Sequence, residues 1–218
     1  MSEPVYAVYG ASGYGREVMP FARAQLLQLG LVDRLMFVDD DISESTLNGQ
    51  RVLTYADFLE MPASERYVAI AIANSNIRQN LAARCAHDGV RAWSLRAPNT
   101  VVMDEVAIGE GAILSPFVTL TSNIRIGRHF HANIYSYVAH DCVVGDFVTF
   151  APSVQCNGNV VVEDHAYVGT SAILRQGEPG KPLIIGAGAI IGMGAVVTKS
   201  VPSGSTVVGN PARPIAKQ

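Results

Sequence analysis

The sequence predicts a small parallel α/β sheet of Rossmann-like layout over residues 1–97, followed over 98–218 by a left-handed parallel β-helix. Three observations carry this. Up to Pro98, short apolar runs alternate with amphipathic helical stretches, the pattern of a parallel sheet covered by helices. Beyond Pro98 the helical signals stop, and every sixth residue from Val102 to Leu174 is apolar. The composition suits both parts: of 218 residues, 49% are hydrophobic, 16% charged and 7% aromatic, with 20 glycines. Aliphatic side chains therefore organise the core, and a disordered chain, which is charged and poor in aliphatics, is excluded.

Residues 4–9 (Pro-Val-Tyr-Ala-Val-Tyr) read as a strand, ended by Gly10-Ala-Ser12-Gly13-Tyr-Gly15. Val18, Phe21, Leu26 and Leu29 mark the apolar stripe of a helix, with Gly30 placed to stop it. Leu35–Val38 is a second strand that runs into Asp39-Asp40-Asp41. Tyr67–Ala73 is a third, almost wholly apolar, as befits a parallel strand covered on both faces. Asn74 or Ser75 is placed to cap a helix from Asn76 to His87.

A glycine-rich turn between a strand and a helix aims backbone N–H groups at an anion, which makes Gly10, Ser12, Gly13 and Gly15 candidate phosphate contacts. Their spacing, G-x-x-G-x-G, departs from the dinucleotide pattern G-x-G-x-x-G. Asp39 and Asp40 are placed to accept bonds from a ribose or base; a polar strand end is the other reading.

A repeat of six does not suit a coiled coil, whose repeat is seven. It suits a β-helix, in which one hexapeptide forms one short side and its turn. Three hexapeptides make an 18-residue coil, so that Ile108, Ile126, Val144 and Val162 fall directly above one another. The companion position four residues on is nearly as regular and mostly small, which suits tight corners where a bulky side chain does not fit. A five-residue insertion falls in the polar, turn-rich stretch Arg175-Gln-Gly-Glu-Pro-Gly-Lys-Pro182, read as a loop thrown outward; Ile185, Ile191 and Val197 then resume the repeat. The proline-rich tail, Val201 to Pro214, is expected to cap the prism.

A formal charge of −3 supplies no basic field for nucleic acid. No apolar run reaches the ~18 residues of a membrane span, and the N-terminal stretch lacks the pattern of a secretion signal. The three cysteines, Cys85, Cys142 and Cys156, have no metal-site spacing and point to the reducing cytoplasm.

On the hexapeptides, the Gly10–Gly15 turn, His140-Asp141-Cys-Val-Val-Gly-Asp146 and Gly209-Asn-Pro-Ala-Arg213, the chain resembles the sialic-acid O-acetyltransferase-like sugar acyltransferases. That group includes bacterial N-acetyltransferases of nucleotide-linked 4-amino-4,6-dideoxy sugars that serve surface-glycan or O-antigen synthesis. The resemblance covers nearly the whole chain. It implies acetyl-CoA as co-substrate and a homotrimer with its active sites between subunits. It also implies His140 as general base, with Asp141 as the acid that orients it. The chemistry suits both: an imidazole with a pKa of about 6.5 accepts a proton at neutral pH, and a carboxylate fixes its tautomer and stabilises the imidazolium. Neighbours on a strand point oppositely, so this pair requires a turn between them.

The resemblance further puts Asn133 near the reacting centre, and Thr149 where some relatives carry a second, assisting histidine. Backbone amides of Cys156-Asn-Gly158-Asn159 are placed to hold an oxyanion, with Gly158 permitting close approach; a plain corner glycine is the other reading. Acetyl-CoA would lie along the prism, with main-chain groups at Thr170, Gly192 and Met193 facing the pantetheine. Arg175, Lys181, Lys199 and Arg213 are available for its phosphates, or are solvated surface charges. With the resemblance, the glycine turn and Asp39-Asp40 read as the site for the nucleotide of a sugar nucleotide, not for NAD.

N-acetylation of the sugar amine is the expected reaction, and O-acetylation of a sugar hydroxyl would use the same base. A metal-dependent hydratase on the same prism is the rival from another class. His129 and His165, 36 residues and thus two coils apart, would stack on one corner, but Thr170 stands where the third ligand is expected. A three-histidine zinc set is thus incomplete, and no metal is expected. A non-catalytic nucleotide-sugar-binding subunit is a third reading. The choice among UDP, GDP and dTDP rests on loop side chains that carry no readable code.

Overall fold

The chain divides between Pro98 and Asn99 into two units. The computed structural model describes residues 3–41 and 44–215. The first unit runs β1 (Val5–Tyr9), α1 (Gly13–Leu27), β2 (Leu35–Val38), β3 (Thr46–Leu47), β4 (Gln50–Leu53), α2 (Tyr55–Glu60), β5 (Arg66–Ile70), α3 (Ser75–His87) and β6 (Arg91–Ala92). Its sheet has the order β3-β4-β2-β1-β5-β6 and is parallel apart from the β3–β4 hairpin. The central β1 buries Val5, Ala7 and Val8 completely, as a strand covered on both faces must. From β1 the chain moves to β2 on one side and later to β5 on the other. That reversal opens a crevice at the carboxyl ends of the strands.

Local signals bound the helices, but α1 ends at Leu27. Leu29, read as part of its apolar stripe, therefore lies past the helix and is 64% exposed, because among the described residues nothing packs over the turn that follows. Gly30, at φ +70°, donates its N–H to Leu27 O, and the Asn74 side chain accepts from the N–H groups of Asn76 and Ile77. The third strand stops at Ile70, not at Ala73. The carbonyls of Ile72 and Ala73 are taken by the buried Arg78 guanidinium at 2.7 and 3.1 Å, and this segment turns into the crevice wall. Burial of the guanidinium lowers the Arg78 pKa to about 10.

The second unit is the left-handed prism, with three faces built of parallel strands two or three residues long. Ile126 pairs with Ile108 before it and Val144 after it, and Val144 pairs with Val162, the stack an 18-residue coil requires. The corners turn through residues in the left-handed region. At one corner Glu105, Asn123, Asp141 and Asn159 stand at φ +55° to +58°. Such a backbone costs an L-residue about 1–2 kcal/mol. Bonds to the preceding coil offset it: Asp141 N–H donates to Ser122 O at 3.1 Å and Asn159 N–H to His140 O at 3.0 Å.

The companion position is not restricted to small side chains. Phe130 occupies it fully buried and meets Phe150 edge-on, 5.2 Å between centroids. The space comes from Ala132, which pairs with Phe150 on the next coil, so large and small residues compensate. Ser136, the polar member of that series, is buried with its hydroxyl bonded to Ala151 O and Val154 N. At the end of the prism the strand Thr206–Val208 pairs antiparallel with Arg213–Pro214 and closes the last face. Among the described residues, no helix is long and apolar enough to cross a membrane.

The Gly145-Asp146 pair of the sequence motif is structural. Asp146 accepts from the Arg128 backbone N–H at 2.7 Å and from its guanidinium at 2.7 and 3.0 Å. Asp164 accepts in turn from Asp146 N–H at 2.8 Å. Cβ atoms at Gly127 and Gly145 would collide with these two carboxylates. Partial burial alone would raise the Asp146 carboxyl, but the bonds and charge of Arg128 outweigh it and hold it below its ordinary value. A depressed carboxyl contributes stability above the unfolded-state value, about pH 3.9, and loses it as pH falls through the folded value. Asp146→Asn should therefore cost about 1 kcal/mol at pH 7, and that gap should narrow in urea unfolding as pH is lowered to 3. An equal gap at both pH values would refute the assignment.

Candidate active site

His140 owes its position to the corner. One strand ends at Val138, the next begins at Val143, and Asp141 between them stands at φ +58°. This turn breaks the alternation of a strand, so adjacent side chains meet: His140 Nδ1 lies 2.7 Å from Asp141 Oδ2. Both side chains are open to solvent, 48% and 49% exposed. A carboxylate only accepts, so Nδ1 carries the hydrogen and Nε2 presents its lone pair outward.

Gly158 follows His140 by 18 residues, one coil. A Cβ there would lie 2.5 Å from His140 Cε1 and 2.6 Å from Nε2, so the ring rests against a bare backbone. The neighbouring amides are committed, Asn157 N–H to Leu174 O and Asn159 N–H to His140 O. Among the described residues, the Gly158 N–H has no acceptor. The corner is braced from within. Tyr137 OH donates to Asn157 Oδ1 at 2.8 Å, Asn157 Nδ2 to Leu174 O at 2.7 Å, and Cys142 Sγ to Asn157 O at 3.2 Å. The buried thiols of Cys142 and Cys156 share a hydrogen bond that lowers the pKa of the first and, with burial, raises that of the second. All three cysteines are free and buried.

Asn133 spends its side-chain N–H on Phe150 O at 2.8 Å, which ties two coils together. Thr149 is buried and pairs with His131 one coil earlier, so the histidine on this face sits one coil from the position the resemblance implies. His129 and His165 do share a corner, but the Phe147 ring lies between them, its centroid 5.1 and 5.4 Å from theirs. A metal cannot bridge the two imidazoles through that ring.

Of the residues assigned to acetyl-CoA, two are held in the coil-to-coil ladder. The Thr170 carbonyl accepts from Gly194 N–H, and Gly192 N–H donates to Val207 O. Met193, Lys199 and Arg213 are exposed, as are Arg175 and Lys181 in the outward loop, whose tip closes through paired bonds between Glu178 and Lys181.

In the first unit the crevice holds a cavity of about 490 Å³. Tyr9, Gly10, Ser12 and Tyr14 line it after β1, Asp39–Asp41 after β2, and Ala71–Ala73 after β5, with Ile77 and Leu81 from α3. Gly10 stands at φ +103°, and a Cβ at Gly15 would collide with the Gly10 carbonyl, so these two glycines make the turn. A Cβ at Gly13 would meet nothing, and Ser12, the first residue before α1, makes no side-chain cap. The first turn of α1 has no acidic residue, which leaves its N–H groups suited to a phosphate.

Both acids named from the sequence are largely occupied. Asp39 accepts from Ala11 N–H at 2.7 Å and Asp41 N–H at 3.0 Å. Asp40 accepts from Tyr9 OH at 2.9 Å and Tyr55 N–H at 2.8 Å, with Arg84 at 3.7 Å. Burial, then the bond to Asp40, raises the Tyr9 phenol. Tyr14, Asp41 and the Ile72–Ile77 wall escape sequence reasoning, although Asp41 ends the acidic run that points there.

A carboxylate-held histidine on the corner of a hexapeptide prism, joined to an α/β unit with a nucleotide-sized cavity, defines a sugar acyltransferase of the hexapeptide-repeat class. Residues 6–85 match the family model described as the PglD N-terminal domain. The chain is 54% identical over 210 residues to the GDP-perosamine N-acetyltransferase of Escherichia coli O157:H7, covering 96% of this chain and 95% of that one. WeeI from Acinetobacter baumannii AYE is 59% identical with a TM-score of 0.94, over 97% of this chain and 100% of its own. The acetyltransferase domain of PglB from Neisseria gonorrhoeae FA1090, solved in complex with acetyl coenzyme A, is 27% identical with a TM-score of 0.87, over 99% and 100%. The chain belongs to the GDP-perosamine N-acetyltransferase family.

Proposed function

We propose that the chain transfers the acetyl group of acetyl-CoA to the amine of a GDP-linked 4-amino-4,6-dideoxy sugar. The observation that carries this is His140, held through Nδ1 by Asp141 with Nε2 open above Gly158. The amine nitrogen attacks the thioester carbonyl as Nε2 takes its proton. The C–N bond forms, the carbonyl oxygen becomes an oxyanion held by the Gly158 N–H, and the C–S bond then breaks. The proton passes from the imidazolium to the departing CoA sulfur. Asp141 stabilises the imidazolium in between.

The cavity beside the Gly10–Gly15 turn takes the nucleotide, with its phosphates at the N-terminus of α1. Met193, Lys199 and Arg213 serve acetyl-CoA along the prism. The enzyme works in the cytoplasm as a homotrimer whose sites form between copies. These readings rest on the family, on the GDP-perosamine specificity in the name of the E. coli relative and on the acetyl-CoA complex of the gonococcal domain.

The test is acetyl-CoA turnover with GDP-, UDP- and dTDP-linked 4-amino sugars. The GDP sugar should be consumed fastest and give a product that resists mild alkaline hydroxylamine, as an amide does. Preference for another nucleotide, or an alkali-labile ester, would overturn the proposal.

A further inference from the structure

Three consecutive carboxylates line the cavity at the end of β2, and their commitments differ. Asp39 and Asp40 each have both oxygens bonded to the protein's own groups. Asp41 gives its backbone N–H to Asp39. Its carboxylate, among the described residues, makes no hydrogen bond or ion pair, and the residue is exposed. Ile72, Ile77 and Leu81 add apolar surface to the same cavity, suited to the flat face of a base.

We infer that Asp41 reads the nucleobase and selects guanine. This rests on the nucleotide-sugar reading above. A carboxylate presents two acceptors side by side and no donor. The guanine edge presents N1–H and the exocyclic N2–H side by side, so the two form a charge-assisted bidentate pair. Uracil and thymine present a single N3–H flanked by two carbonyl oxygens, which a carboxylate repels. Asp41 thus favours GDP and disfavours UDP and dTDP by one device.

The experiment is calorimetric titration of GDP, UDP, dTDP and xanthosine diphosphate into the full chain and into Asp41→Asn. Xanthine replaces the guanine N2 amino group with a carbonyl. An asparagine donates to that oxygen while still accepting from N1–H. The full chain should prefer GDP. Asp41→Asn should lose about tenfold or more in GDP affinity and gain xanthosine diphosphate affinity by a similar factor. A misfolded variant cannot show such a gain. If the full chain does not prefer GDP, the nucleotide reading fails and this inference with it. If it prefers GDP but Asp41→Asn keeps that preference and gains nothing with xanthosine diphosphate, the Asp41 assignment alone fails.

Discussion

His140→Ala should lower kcat with the GDP-linked amino sugar by about 10²- to 10⁴-fold, the usual worth of a positioned general base. Acetyl-CoA should bind with nearly unchanged affinity. The imidazole is half exposed, and its recorded side-chain partner is Asp141, so its removal opens no cavity and leaves the coil-to-coil ladder intact. A direct-attack mechanism needs the base only when the amine loses its proton, so the loss falls on turnover and not on donor binding. Steady-state rates, together with calorimetric titration of CoA, separate the two. Turnover within tenfold of the parent would remove His140 from the mechanism.

Gly158→Ala should cost about 10²-fold in kcat although it removes no reacting group. The new Cβ would sit 2.5–2.6 Å from the His140 ring, well inside contact distance, so the ring must swing away. A catalytic group misplaced by ~1 Å loses about two orders of magnitude. The backbone N–H remains in the alanine variant, so the effect reports on the ring and not on the oxyanion donor. The double variant with His140→Ala provides the check. Because Gly158 acts through the ring, the pair should be no slower than His140→Ala alone. Additive losses would show that the glycine matters for another reason.

The prism is legible in the sequence because its repeat recurs often enough to outweigh exceptions such as Phe130 and Ser136. The α/β unit is legible only in its longer elements. β3, α2 and β6 have two to six residues, too few for any periodicity to register. Asn48-Gly49, at φ +50° and +74°, is the one local signal of the β3–β4 hairpin. At the corner of the candidate site, His140 and Asp141 are legible as residue types. That they can meet depends on the left-handed turn at Asp141, which nothing in an Asp-Cys pair announces. Gly158 is recoverable by counting one coil from His140. Which acid of the run at Asp39 is free is not recoverable, because the outcome depends on where Ala11, Tyr9 and Tyr55 arrive from distant parts of the chain.

The 18-residue coil also limits how this enzyme can change in length. One residue inserted between His140 and Gly158 would turn every later side chain to the wrong face and carry the bare backbone away from the imidazole. The five residues inserted within Arg175–Pro182, by contrast, bulge out at a corner while Gly177 N–H still bonds Gly158 O, and the chain returns in register with Leu183 N–H bonded to Asn159 O. Variation in chain length is thus confined to the corners outside this coil. Within it the number of residues, as much as their identity, keeps Gly158 under the His140 ring.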